Sequence, residues 1–327
     1  MAPRRGGSGG FDIDVDTSDC AADAFSTTSS RVRIAFYALF TVVYAVLTFL
    51  AATSFLRSKR KGKALLQWWA LGGSILLGLL SLILSIILVA LIQCEVAGDI
   101  SDAMRANIAI TWLYSVSVYL MIAVIMVPIV RHLYMATGKI AKLVTIVNVV
   151  YLALLAIILV CWLAIYTFIT HSQHTGDYDY FIDLHRHRSR IAVAYYAMEA
   201  FGVLIAGTMM LILLVRHSSL WRWTLKAQVL FLIVAALGLT LTNMASSADV
   251  YFGSHDVNYL NKSINASLFI QLLFYSCTFA VALFIASSPH LSDANRAYPP
   301  VGTAMPPQQQ ATYHNPPVVP ELYSPQK

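Results

Sequence analysis

The chain has 327 residues, of which 58% are hydrophobic and only 12% charged, and its formal net charge is +6. Soluble domains carry about 25% charged residues because a water-facing surface needs them, so lipid must be the solvent for much of this chain. The positive balance does not point to nucleic acid, because the basic residues sit in short stretches between apolar runs, where Lys and Arg anchor membrane loops.

Residues 1–32 are rich in Gly, Ser and Asp and contain Asp12, Asp14, Asp16, Asp19 and Asp23, the composition of a disordered tail. They hold no apolar core, so no cleavable leader is expected and the first membrane span is expected to target itself.

Residues 33–288 form the predicted membrane domain. A helix needs about 20 apolar residues to cross a ~30 Å hydrocarbon core. Seven segments qualify: Ile34–Leu56, Ala64–Ile92, Ile108–Val130, Leu143–Thr170, Ile191–Val215, Ala227–Ser246 and Ala266–Ser287. Backbone polar groups in lipid must bond within their own segment, so these runs predict helices. The runs are also too long for barrel strands of about ten alternating residues. The fold class is therefore all-α, a polytopic seven-transmembrane-helix bundle.

Charge sets the expected direction. The first loop carries Arg57, Lys59, Arg60, Lys61 and Lys63, the third Arg131, Lys139 and Lys142, and the fifth Arg216, Arg222 and Lys226, with no acid in any of them. The even loops hold Glu95, Asp99, Asp102, Asp177, Asp179, Asp183, Asp249 and Asp256. Odd loops are then cytoplasmic, which predicts the N-terminus outside and the C-terminus inside, with the plasma membrane as the expected location.

On the expected outer side, Cys20 and Cys94 share an oxidising compartment and read either as a disulfide or as two free thiols. The sequons at Asn261 and Asn265 fall in the same compartment and read as glycosylation sites or as chance matches. The segment His171–His187 holds four histidines and three aspartates in no metal-binding pattern, and reads as a solvated loop. No metal or cofactor is expected. Pro128 predicts a kink near the inner end of span three.

Residues 289–327 hold nine of the eleven prolines. This is a disordered cytoplasmic tail by composition, of the kind that docks SH3- or WW-type modules, although it lacks the Pro-Pro-x-Tyr pattern.

Function has few places to reside. No Lys or Arg lies inside a predicted span, and the only acid there is Glu199, about nine residues into span five and so roughly 13 Å deep. An acid at that depth costs about 2.5–3.5 kcal/mol unless paired, protonated or wetted, and is a functional-site hypothesis by default. Tyr195, Glu199, Gly202 and Ala206 share one helical stripe. Trp112, Tyr119, Asn243, Gln271 and Tyr275 lie in the outer halves of their helices. With Glu199 and Tyr195 they are the expected lining of an outward-facing polar cavity. Arg131, Arg216, Trp221 and Arg222 are the expected contacts of a cytoplasmic partner.

An enzyme is the least supported class, since the spans contain no histidine and no nucleophile–base pair. Seven helices with this direction look like a G-protein-coupled receptor, but span three ends Val130-Arg131-His132 and span seven lacks Asn-Pro-x-x-Tyr. The chain resembles the orphan receptor-like seven-transmembrane proteins of fungi, with a short acidic N-tail and a Tyr/Pro-rich C-tail such as Ala297-Tyr298-Pro299-Pro300. That resemblance covers architecture and carries over no functional residue. It implies a non-enzymatic receptor or sensor for an external ligand. A lipid or small-molecule exporter and a scaffold acting through its tails are the alternatives.

Overall fold

The computed structural model describes residue 25 and residues 27–59, 65–94, 100–134, 139–172, 178–216, 223–252 and 257–287. The helices are α1 (Thr28–Lys59), α2 (Leu65–Gln93), α3 (Ile100–Val124), α4 (Val130–Tyr134), α5 (Lys139–Ser172), α6 (Tyr178–Arg216), α7 (Trp223–Phe252) and α8 (Val257–Ser287). A five-residue π-turn, Ile125–Ile129, joins α3 to α4 so that the two make one continuous span. No strand occurs among the described residues. Seven of the helical segments are long and apolar enough to cross a membrane, which makes the chain a multi-pass membrane protein.

Each span packs on the next in the chain, and α8 returns to α1, so the seven close into a ring. The outward faces carry bare apolar side chains, among them Phe49 (67% exposed), Leu143 (66%) and Val215 (78%). Water would penalise such a surface, whereas lipid tails match it. The end of the bundle where α1 begins is called the Thr28 end below, and the opposite end, where α4 stops, the Tyr134 end.

Between helices in lipid there is no hydrophobic drive, so close backbone approach and polar bonds must hold the ring together. At the α2–α3 seam the Ser74 hydroxyl donates to the Ser117 carbonyl at 2.9 Å, and the Ser117 hydroxyl donates to the Ser74 carbonyl at 2.8 Å. Gly78 permits this approach, because a Cβ there would stand 3.0 Å from Ser117 Oγ and 3.1 Å from the Tyr44 ring. Elsewhere Thr41, Thr48, Ser85, Thr167 and Thr278 donate to the carbonyl four residues back, which satisfies their hydroxyls within their own helix.

The structure extends several boundaries. Helix α1 begins at Thr28, so residues 28–32, placed by composition in the tail, are helical. Thr27 and Ser30 bond each other there, and the Ser30 hydroxyl donates to the Thr27 carbonyl, tying down the first turn. The segment read as a loop from His171 to His187 is largely helix, since α5 runs to Ser172 and α6 starts at Tyr178. Helices need not stop at the hydrocarbon edge when charged side chains can face water beyond it.

Pro128 produces a π-turn rather than a simple kink. The Val130 N–H reaches Ile125 and Val127, bypassing the Met126 carbonyl, and Asn148 of α5 fills the vacancy by donating to it at 2.7 Å. Cys94 is disulfide-bonded, while Cys161 and Cys277 are free thiols. Cys20 and the tails 1–24 and 288–327 lie outside the described residues.

Candidate ligand site around Glu199

The stripe on α6 faces inward. Tyr195, Glu199 and Ala206 are at most 1% exposed, and Gly202 is buried with them. Gly202 is required by its neighbour, since a Cβ would lie 2.6 Å from Cε1 of Tyr151. The Tyr151 hydroxyl in turn donates to the Met198 carbonyl at 2.5 Å, so α5 grips α6 one turn below and one residue before the acid.

Glu199 is wholly buried, and neither of its carboxyl oxygens has a hydrogen-bond partner. The Tyr195 hydroxyl stands beside it, close enough to act on the carboxyl but without a well-formed hydrogen bond. The same condition recurs around the interior: Tyr114 Oη, Tyr44 Oη, Trp162 Nε1 and Asn243 Nδ2 are all buried and without partners. Apart from Asn243, these residues form a connected neighbourhood. Tyr114 is within electrostatic range of Glu199, Tyr196 and Tyr275, and Tyr44 is within range of Tyr114 and Tyr275. Trp162 stacks on Tyr195 with ring centroids 5.8 Å apart, and Tyr196 meets both rings edge-on.

Asn243 reaches the same level from α7. Gly207 of α6 packs against Ile233 of α7. From that contact Glu199 lies eight residues along and Asn243 ten, about 12 and 15 Å at helical rise. Buried polar atoms are nearly always paired in folded proteins, so a concentration of unpaired ones on five helices marks a candidate site. No group of three or more His, Cys, Asp or Glu side chains able to hold a metal occurs among the described residues.

The other residues expected at the cavity are spent differently. Tyr275 is completely buried, but its hydroxyl bonds Ser74 Oγ at 2.7 Å and Ser117 Oγ at 2.6 Å, and its ring stacks on Tyr44 at 5.1 Å. It clamps α8 to the α2–α3 seam. Trp112 donates to Thr167 Oγ1 at 3.0 Å, and the Tyr119 hydroxyl donates to the Leu152 carbonyl at 3.1 Å, both across the α3–α5 seam. Tyr119 still lies within range of Tyr195. Gln271 donates to Ser246 Oγ at 3.1 Å. Tyr44 and Trp162 belong to the cluster although their sequence positions read as ordinary span aromatics. The available signal was a polar-tipped ring at mid-span depth.

A cleft of about 620 Å³ opens between the Thr28-end halves of α7 and α8, lined by Thr242, Ser246, Asp249, Ser263, Ser267 and Ile270 among others. The Ser263 hydroxyl donates to Asp249 Oδ2 at 2.7 Å. Ser246 on the cleft wall accepts from Gln271; it lies three residues from Asn243 on α7, and Gln271 lies four from Tyr275 on α8.

At the same end, the Asn265 amide donates to Ser29 Oγ at 2.9 Å, and Arg33 Nε donates to Asn265 Oδ1 at 3.4 Å. Asn261 is helical in α8, and its side chain lies outside the described residues. At the Tyr134 end Arg131 is exposed. Trp221, Arg222 and the Arg216 side chain lie outside the described residues.

Compared with known family models, curated proteins and solved structures, the chain matches none. Fold and site therefore define it as a seven-helix membrane protein with a buried acid-and-aromatic cluster.

Proposed function

We propose that the chain is a non-enzymatic, receptor-like sensor of the plasma membrane, with its N-terminus outside, whose Glu199 cluster takes a small ligand from the outer side. The observation that carries this reading is the Glu199 carboxyl, fully buried with both oxygens unbonded among further orphaned polar atoms. A carboxylate so placed is costly unless something binds it, and intramembrane acids of this kind are sites rather than packing. The direction rests on the basic odd loops and acidic even loops. A cytoplasmic signalling partner would then meet the Tyr134 end, where Arg131 is exposed, and an SH3- or WW-type module would take the proline-rich tail.

The test combines topology tags with partner capture from cells expressing wild type or Glu199→Gln. The reading expects an extracellular N-terminal tag and a cytoplasmic partner whose recovery changes with the substitution. Glu199-dependent efflux of a small molecule without any such partner would establish the exporter instead. Partners held by the tails alone, indifferent to Glu199, would establish the scaffold.

A further inference from the structure

Taking the Glu199 site as the place of binding, we infer that its ligand is a small organic ammonium that also carries a hydroxyl or carbonyl group, admitted through the α7–α8 cleft. Four observations converge on this chemistry. The first is charge. Glu199 is the only acid within the predicted spans, and every basic side chain lies outside them. The nearest on its own helix, Arg188 and Arg190, are about three and two and a half turns away, and Arg188 is engaged 4.4 Å over the Tyr166 ring. A monocation neutralises the site, whereas an anion or a zwitterion brings a negative charge that no residue there meets.

The second is the aromatic surround. Tyr195 and Tyr114 stand within electrostatic range of the acid, and Trp162 and Tyr196 pack on the Tyr195 ring. Aromatic faces attract organic cations, most of all where water is excluded. The third is the pair of orphaned donors. Trp162 Nε1 and Asn243 Nδ2 offer N–H groups that a bare metal cation cannot accept. A hydroxyl or carbonyl oxygen on the ligand satisfies them, which favours an amino alcohol or an amino ketone over sodium or potassium. A ligand pocket that is mostly apolar with a few converging polar groups is the usual form of such sites.

The fourth is the route. The cleft lining offers hydroxyls and the Asp249 carboxylate, with no basic residue among its walls. Ser246 on the cleft wall accepts from Gln271, and Asn243 and Tyr275 stand about one turn from that pair on α7 and α8, so we take this bond as the gate between cleft and cluster.

The experiment uses the full chain in phosphatidylcholine nanodiscs, read by thermal unfolding and by intrinsic tryptophan fluorescence. The probes are ethanolamine, choline, tetramethylammonium, the uncharged choline isostere 3,3-dimethylbutan-1-ol, glycine, and sodium or potassium chloride alone, each at millimolar concentration. The expected result is saturable stabilisation by a hydroxylated ammonium, weaker for tetramethylammonium and absent for the neutral isostere. Glu199→Gln should weaken it by at least about tenfold, the loss of one charge-assisted contact. Glu199→Asp, which keeps the charge, should retain part of it and guards against a merely unfolded variant. Joining Gln271→Cys to Ser246→Cys by oxidation should slow binding, and reduction should restore it.

Equal stabilisation by the isostere, a full response to sodium or potassium alone, or no response to any ammonium would overturn the inference. Glu199-dependent binding of a neutral or anionic compound would sink the ammonium class while leaving the site itself intact. A folded Glu199→Gln protein with every response unchanged would remove both.

Discussion

The side-chain amide of Asn148 donates to the backbone carbonyl of Met126 at 2.7 Å, at the point where the π-turn leaves that carbonyl bypassed. In lipid no water is at hand to replace it. Asn148→Leu should therefore cost about 1–2 kcal/mol, between the mean for intramembrane hydrogen bonds and the full penalty of an unsatisfied carbonyl. The cause is separable from lost packing. Pro128→Ala restores the missing N–H and allows a regular α register, in which the Val130 N–H serves Met126, so Asn148→Leu should cost less in that background. Equilibrium unfolding of the four proteins of this cycle measures it, and an unchanged cost in both backgrounds would refute the assignment.

Two buried tyrosines predict unequal outcomes for the same deletion. Tyr275 uses its hydroxyl on Ser74 and Ser117, whereas the Tyr195 hydroxyl is buried without a well-formed bond. Tyr275→Phe removes the bonds that tie α8 to both serines, whose own hydroxyls keep their bonds to each other's carbonyls, and should destabilise the protein by about 0.5–1.5 kcal/mol. Tyr195→Phe removes a hydroxyl that meets the Glu199 carboxyl outside good hydrogen-bond geometry, and should cost less than Tyr275→Phe, near zero. Thermal unfolding of both variants in one lipid distinguishes them, and the order of the two melting temperatures is the prediction.

Glycines on two helices should also part company. A methyl on Gly202 meets the Tyr151 ring at 2.6 Å, and that ring is tethered by its own hydroxyl bond to Met198. Gly202→Ala should cost about 1–3 kcal/mol, the usual range for overpacking. Shortening the obstacle with Tyr151→Ala should recover part of the overpacking cost, although it forfeits the Met198 bond. Gly72 has nothing within 4 Å of its notional Cβ, so Gly72→Ala should be neutral or stabilising by up to about 1 kcal/mol through helix propensity. Chemical unfolding in mild detergent is sufficient to rank them.

These contrasts show where sequence reasoning reaches and where it stops. Lipid forces long apolar runs, so the seven spans are legible, and a lone acid such as Glu199 is conspicuous against them. Rotation of each helix is much less legible, because lipid-facing and helix-facing sides are both apolar. Trp112 and Tyr119 share the outer half of span three with Tyr114, yet they bond across to α5 while the Tyr114 hydroxyl is buried within electrostatic range of Tyr196, Tyr275 and Glu199. Tyr275 belongs to the polar interior but is already fully bonded, a fact that depends on Ser74 and Ser117 lying opposite it. For Tyr44 and Trp162 the one local cue, a polar-tipped ring at mid-span depth, is ambiguous, since such a ring reads equally well as an interfacial anchor.

Asn265 offers a last discrimination, between a sequon and a structural amide. Its Nδ2, the atom a glycan would occupy, donates to Ser29 Oγ, and its Oδ1 accepts from Arg33, so one side chain ties α8 to the first turn of α1. A sugar on that nitrogen would have to displace the Ser29 bond and push the two helices apart. Asn265→Gln should therefore leave the electrophoretic mobility of cell-expressed protein unchanged while lowering stability by about 0.5–1.5 kcal/mol, the net worth of such bonds. Asn261, four residues earlier on α8, is the sequon left free to be modified if this end faces outward. Asn261→Gln should then abolish any mobility shift that an endoglycosidase removes. A shift lost in Asn265→Gln and retained in Asn261→Gln would mean that the α1–α8 tie does not form in the cell.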